Sequence, residues 1–201
     1  MLRVGLTGGL ACGKSFVGHA LADLGCYLIE ADKLGHEVML PGGEAYAAIV
    51  REFGSAILDG EGRINRRRLS GIVWDNAERL EKLSSLVHPP VQQREETRMA
   101  EIARTDRRAI VVVEAAILVE TGRYKSFDRL IVVTCTPEHQ MERALQRGSY
   151  NKQEILARLS RQLPLEDKLR VADYTIDTSG SEEATLEQVR MVYGKLRSLT
   201  V

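Results

Sequence analysis

Short, strongly apolar runs alternate with amphipathic stretches along most of this chain. Arg3 to Thr7 predicts a strand, and Lys14 to Leu24 predicts a helix with Phe16, Val17, Ala20, Leu21 and Leu24 on its apolar side and Gly25 as its stop. Cys26 to Glu30 reads as a second strand. Asp32 is placed to cap a short helix that ends near Met39, before Pro41, Gly42 and Gly43 break the chain. From Glu44 to Arg108 the pattern is helical, with breaks expected at Gly54, Asp59 to Gly62, Asn76 and His88-Pro89-Pro90, and no convincing strand. Strands resume with Ala109 to Val113 and Leu130 to Thr134. Thr136 and Pro137 then supply an N-cap and first-turn proline for a helix through Arg147. A helix from Lys152 to about Leu163, a strand from Tyr174 to Ile176 and a helix from Glu182 to Leu199 complete the chain.

Five apolar strands separated by helices imply an α/β fold. The sheet is expected to be parallel, covered on both faces, with ligands at the carboxyl ends of its strands. The helical stretch before Ala109 is then an insertion, and a candidate substrate lobe.

Composition narrows the picture without choosing a function. The chain has 201 residues, 44% of them hydrophobic, which suits one substantial core better than two independent ones. Its 28 basic and 28 acidic residues balance, so no global field draws it to nucleic acid or to an anionic membrane. Cys12, Cys26 and Cys135 are odd in number and lack metal-ligand spacing, which fits a reducing compartment, the cytoplasm by default. No leader peptide is expected, because the apolar run after Arg3 is short. The apolar stretch Ala109 to Val119 is interrupted by Glu114 and is well short of the roughly 20 residues a spanning helix needs.

The residues Gly8, Gly9, Leu10, Ala11, Cys12, Gly13, Lys14 and Ser15 match G-x-x-x-x-G-K-[ST] between a predicted strand and a predicted helix. Such a loop turns successive backbone N–H groups onto phosphate oxygens, and the helix after it presents its positive end to the anion. Lys14 is placed to reach the β and γ phosphates, and the Ser15 hydroxyl to hold Mg²⁺. A nucleoside triphosphate is therefore the expected ligand.

Transfer of its terminal phosphate to a hydroxyl calls for a carboxylate base and further acid near the metal. Asp32 follows the second strand and Glu114 closes the third, both at the end where the loop must lie. For Asp32 the sequence leaves two readings level, a helix cap and a catalytic base. A carboxylate ending a buried apolar strand, as Glu114 does, is costly unless something pairs with it. Arg143 and Arg147 stand four apart on one helix face, with Arg158 and Arg161 on the next helix; such a group either clamps transferred phosphate or is a solvated face. Arg66-Arg67-Arg68 could attract an anionic acceptor.

A regulatory GTPase is a poor fit. Asp59 to Gly62 matches D-x-x-G but follows a helical stretch, and Asn151 with Glu154 reads as a capping box where guanine recognition needs an aspartate. Aromatic residues make up 5% of the chain, and no basic patch with interleaved aromatics supports nucleic-acid binding. ATP is the better nucleotide.

Nearly end to end, the chain resembles the dephospho-coenzyme A kinases. The resemblance rests on Val4 to Gly9 leading into the loop, Leu24-Gly25, Glu30-Ala31-Asp32 with His36-Glu37-Val38, and Phe53-Gly54. It continues through Asp59-Gly60, Ile64-Asn65-Arg66, Leu69, His88-Pro89, Glu114 with Ile117-Leu118 and Glu120, and Arg143 with Arg147. Gln162-Leu163-Pro164, Ala172-Asp173-Tyr174 and Ile176-Asp177 complete it. Ala11-Cys12 stands where Gly-Ser is usual, Glu30 where aspartate is commoner, Ala116 in place of a proline and Thr178 in place of an asparagine.

The resemblance implies a P-loop nucleoside-triphosphate-hydrolase or nucleoside-kinase-like fold with a five-stranded parallel sheet. It implies one kinase domain over 1–201, a helical coenzyme A lobe over approximately 62–108 and a helical lid over approximately 136–163. The implied reaction is phosphorylation of the ribose 3′-hydroxyl of dephospho-coenzyme A by Mg-ATP; the alternative is a kinase of another nucleoside or nucleotide on the same core. Asp32 becomes the expected base, with Lys14, Arg143 and Arg147 around the transferred phosphate. Gly8 through Phe16 are the expected ATP contacts, Thr7, Asp32, Arg66, His88 and Glu114 the expected acceptor contacts, and Ser15 the expected Mg²⁺ ligand. Neither nucleic acid nor membrane is an expected partner. At a helix N-terminus the Cys12 thiol is expected to have a lowered pKa and to react with thiol reagents.

Overall fold

Four strand-ending residues, Glu30, Glu114, Gly8 and Thr134, come to one edge of a parallel sheet because the apolar runs pair in a single register. The strands are β1 (Leu2–Gly8), β2 (Tyr27–Glu30), β3 (Ile110–Glu114), β4 (Arg129–Thr134) and β5 (Tyr174–Asp177), in the order β2-β3-β1-β4-β5. This is a computed structural model, and it describes residues 1–74, 76–148 and 151–200. Along the register Leu6 faces Glu114, Glu30 faces Glu114 and Gly8 faces Val133. From the central β1 the chain leaves toward β2, whereas from β4 it leaves toward β5. The divergence opens the crevice in which α/β sheets bind ligands.

The chain forms two compact units, one of Met1–Glu30 with Glu101–Val201 and one of Ala31–Ala100. In the first, α1 (Lys14–Asp23) and α9 (Glu182–Ser198) cover one face of the sheet. Val17, Leu21, Val189 and Leu196 pack there with Val4, Leu6, Val112, Ile131, Val133 and Ile176, the alternate residues of four strands. The same unit carries α6 (Pro137–Gln146), α7 (Lys152–Leu159) and α8 (Leu165–Leu169). Thr136 caps α6 through His139 N with Pro137 in the first turn, and Asn151 with Glu154 forms the expected capping box.

The second unit holds α2 (Ala31–Glu37), α3 (Tyr46–Phe53), α4 (Arg66–Val73) and most of α5 (Ala77–Thr105). Asn65 caps α4 by accepting from Arg67 N and Arg68 N. Arg94 of α5 donates to both Glu44 carboxylate oxygens and to Glu37, tying α5 to the segments around α2.

Several local expectations fail for identifiable reasons. α5 runs through Pro89 and Pro90, where a break was expected; Val91, Glu95 and Met99 are buried on its following turns, so packing overrides the local preference. Leu58 and Ile64 form an antiparallel bridge inside the stretch expected to be helical. α7 stops at Leu159 rather than Leu163, with Ser160 as its C-cap, and Pro164 disfavours helix again at Leu163. The five-residue α8 after Pro164 is too short to show a period. Asp32 is not an N-cap: α2 follows β2 directly at Ala31, and Asp32 lies in its first turn, where a carboxylate suits the helix dipole.

Candidate active site

Between β1 and α1 the chain from Gly8 to Gly13 closes into a loop whose shape depends on two glycines. A Cβ on Gly8 would collide with the Val133 carbonyl oxygen and the Cys12 sulfur; Gly13 stands at φ 83°, the left-handed region, against Thr178. Ala11 is also left-handed, at φ 56°, which costs a residue with a Cβ roughly 1–2 kcal/mol. Its buried methyl packs with Ala144 and Ile155, offsetting part of that cost.

Side chains then fix the loop from several directions. Lys14 folds back so that Nζ donates to Gly9 O at 3.0 Å and Gly8 O at 3.4 Å, putting its charge at the loop's N-terminal half. Gln140 donates to Leu10 O (2.7 Å) and Leu10 N donates to Gln162 Oε1 (2.9 Å), a two-sided clamp from α6 and the segment after α7. The Ser15 hydroxyl donates to Glu114 Oε1 at 2.8 Å, and the buried Thr7 hydroxyl donates to Ala116 O at 3.3 Å. Phe16 is the exposed next residue of α1.

Arg143 reaches the other side of the loop. Its Nη1 donates to Thr178 Oγ1 (2.8 Å) and Nη2 to Thr178 O (2.7 Å), while the Thr178 hydroxyl donates to Cys12 O at 3.0 Å. Arg147 caps the C-terminal end of the same helix, one turn further on and exposed. The two arginines therefore occupy different places, with Arg143 at the loop's flank.

Cys12 corrects an expectation. Its thiol is 2% exposed, and its single S–H lies within reach of two carbonyl acceptors, Gly9 O (3.0 Å) and Val133 O (3.2 Å). Burial pushes its pKa up from the ordinary 9.0, against the weaker pull of Lys14. The helix N-terminus does not produce a reactive thiolate here, because the sulfur faces the protein interior.

In the second unit, Asp32 and His36 lie four apart on α2, hence on one face. His36 Nδ1 is 3.5 Å from Arg66 Nη1, and its pKa is lowered by burial and the Arg66 charge, with Asp32 pulling the other way. Two predicted residues, Asp32 and Arg66, thus both act on the charge of His36, a histidine within the His36-Glu37-Val38 segment that had no assigned role. His88 is half-buried on α5.

Gln140, Thr178 and His36 belong to these constellations, and the motif gave none of them a role. Each is a neutral or weakly basic side chain on a helix or a loop, and only the folded backbone shows what it reaches. Gln162 lies within the Gln162-Leu163-Pro164 segment of the resemblance, but its hold on Leu10 depends on the fold.

Comparison with known proteins adds the decisive observation: the family model for dephospho-CoA kinase matches residues 2–184. The chain belongs to the dephospho-CoA kinase family. A dephospho-CoA kinase from Aquifex aeolicus is 40% identical over 98% of this chain and 98% of its own length. Among solved structures, one from Thermus thermophilus shares 27% identity at a TM-score of 0.81, covering 97% of both chains. The dephospho-CoA kinase of Campylobacter jejuni shares 26% at 0.71, covering 98% of both. The P-loop kinase fold expected from the resemblance is the fold observed, and among the described residues no helix is long and apolar enough to cross a membrane.

Proposed function

We infer that this chain transfers the γ-phosphate of ATP to the ribose 3′-hydroxyl of dephospho-coenzyme A, the last step of coenzyme A synthesis. The carrying observation is the loop Gly8–Ser15, set at the sheet edge with Lys14 at its N-terminal half and Ser15 on Glu114, in a chain that matches the family over nearly its whole length.

The residue roles follow from chemistry. Backbone N–H groups of the loop and the N-terminus of α1 bind the β and γ phosphates, and Lys14 offsets charge that grows on the bridging oxygen as it departs with ADP. The Asp32 carboxylate takes the proton of the 3′-hydroxyl as that oxygen attacks phosphorus. Arg66 and His88, in the helical stretch of approximately 62–108, bind the acceptor. Arg143 holds the nucleotide loop, and Arg147 closes over the phosphates with the lid of approximately 136–163, excluding water that would otherwise take the phosphoryl group.

A magnesium ion fits this donor set. The Ser15 hydroxyl and Glu114 carboxylate are hard oxygens 2.8 Å apart, and Mg²⁺ typically uses one or two protein oxygens besides phosphate and water. Among the described residues no cluster of three or more His, Cys, Asp or Glu could hold a metal by itself, which suits an ion that leans on the nucleotide. Bound there, it would neutralise phosphate charge. The three free cysteines suit a reducing cytoplasm.

Tandem mass spectrometry of the product tests the site of phosphorylation. A phosphate on the 3′-oxygen of the adenosine ribose is expected, and a phosphate elsewhere would overturn the placement of Asp32 as base.

A further inference from the structure

Lys168 on α8 is 1% exposed, and its Nζ lies 2.6 Å from Glu120 Oε1 in the connection between β3 and β4. Taking a charge pair out of water is costly, and apolar residues of similar volume often serve stability as well or better. The pair therefore calls for a reason other than stability.

Its position supplies one. Lys168 lines a cleft of about 360 Å³ together with Gly9, Cys12, Gln140 and Gln162, the residues that form and clamp the phosphate loop. Lys14 reaches the same Gly9 with its own ammonium. The Cys12 thiol, though pushed up by burial, feels both charges, first Lys14 and then Lys168, so the second cation lies within electrostatic reach of the loop. An ammonium carries three donors, and although Nζ is ion-paired with Glu120 Oε1, it is a buried atom that makes no hydrogen bond among the described residues.

We propose that Lys168 is a second phosphate-contacting cation of this site, held by Glu120 to meet the terminal phosphate of the bound triphosphate. The terminal phosphate is the one concerned because the lysine of such a loop marks the β and γ end, and here that lysine stands at Gly9, on the wall Lys168 shares. During transfer the charge on the phosphoryl oxygens is met from two sides. Glu120 keeps the flexible lysine in one place, so that little side-chain freedom is lost on binding. The inference rests on the reading of Gly8–Ser15 as the ATP phosphate site.

Calorimetric titration of the full chain with ATP and with ADP, both with Mg²⁺, tests it alongside kcat for the transfer. Lys168→Met is expected to weaken ATP about tenfold relative to ADP and to lower kcat, while Lys168→Arg retains most of the discrimination. Glu120→Gln, which keeps the ammonium but loosens its hold, falls between. Where Lys168→Met does not fold because Glu120 is left buried alone, the same ratio is read in Lys168→Met/Glu120→Leu, which removes both charges. A ratio of ATP to ADP affinity unchanged from wild type, or equal weakening of both nucleotides, overturns the role of Lys168 and leaves the loop reading standing. A wild-type chain that binds neither nucleotide refutes the loop reading itself, and the inference with it.

Discussion

Ser15 Oγ donates to Glu114 Oε1 at 2.8 Å, joining the first turn of α1 to the last residue of β3. Glu114 is 6% exposed, and a carboxylate so buried is tolerable only with partners of this kind. If the pair also helps hold Mg²⁺, Glu114→Gln, which keeps size and hydrogen bonding but removes the charge, should raise the Mg²⁺ concentration for half-maximal activity about tenfold or more. Activity against Mg²⁺ concentration measures this directly. An unchanged metal dependence would assign Glu114 a purely structural part.

Asp32→Asn should leave ATP affinity within a factor of about two and reduce turnover by about a hundredfold or more. Asp32 is exposed in the first turn of α2, so little stability should be lost with the charge. Single-turnover rates in parallel with ATP titration separate the two effects. Undiminished turnover would make Asp32 a residue of the helix dipole only.

Arg143→Ala should raise the KM for ATP about tenfold, since both guanidinium bonds to Thr178 support the residue that accepts from Arg143 and donates to Cys12 O. Thr178→Ala should produce part of the same effect. An Arg143→Ala enzyme with an unaltered KM would place the loop's support elsewhere.

The two buried thiols and the half-buried Cys135 give a pH dependence with a definite sign. Burial raises Cys12, Cys26 and Cys135, Cys26 to about 12 and Cys135 to about 11, from an ordinary 9.0. Above pH 9 the unfolded chain gives up thiol protons that the folded chain keeps, so stability is fully present below pH 9 and falls as pH rises through the folded values. The slope is at most about 1.4 kcal/mol per pH unit for each thiol. Denaturant unfolding of wild type and Cys26→Ala from pH 8 to 10.5 checks it, the variant being expected to show the shallower decline. At pH 8 the folded chain should also alkylate at Cys12 at least about tenfold more slowly than the denatured chain. Equal rates would mean that the sulfur is accessible.

The sheet was legible in the sequence because its strands are apolar runs bounded by glycine, proline and acid, and the phosphate loop because its glycines and lysine stand at fixed spacing. Thr136 and Asn151 announced their helices by cap chemistry. Pro89 and Pro90 misled because proline's local cost is fixed by sequence, whereas the burial of Val91 and Met99 that outweighs it is not. The same holds at the site. Lys14 and Ser15 are read from spacing, but the clamp by Gln140 and Gln162, the Arg143–Thr178 fastening and the burial of Cys12 depend on residues far apart in the chain. A thiol's reactivity follows the direction of its side chain, which no motif encodes.

The central claim is tested most directly by mass spectrometry of the purified chain supplied with Mg-ATP and, in separate reactions, dephospho-coenzyme A or a panel of nucleosides and nucleotides. Coenzyme A should form with one ADP per phosphoryl group transferred, far faster than any product from the panel. Absence of coenzyme A, with a panel acceptor phosphorylated in its place, would contradict the account.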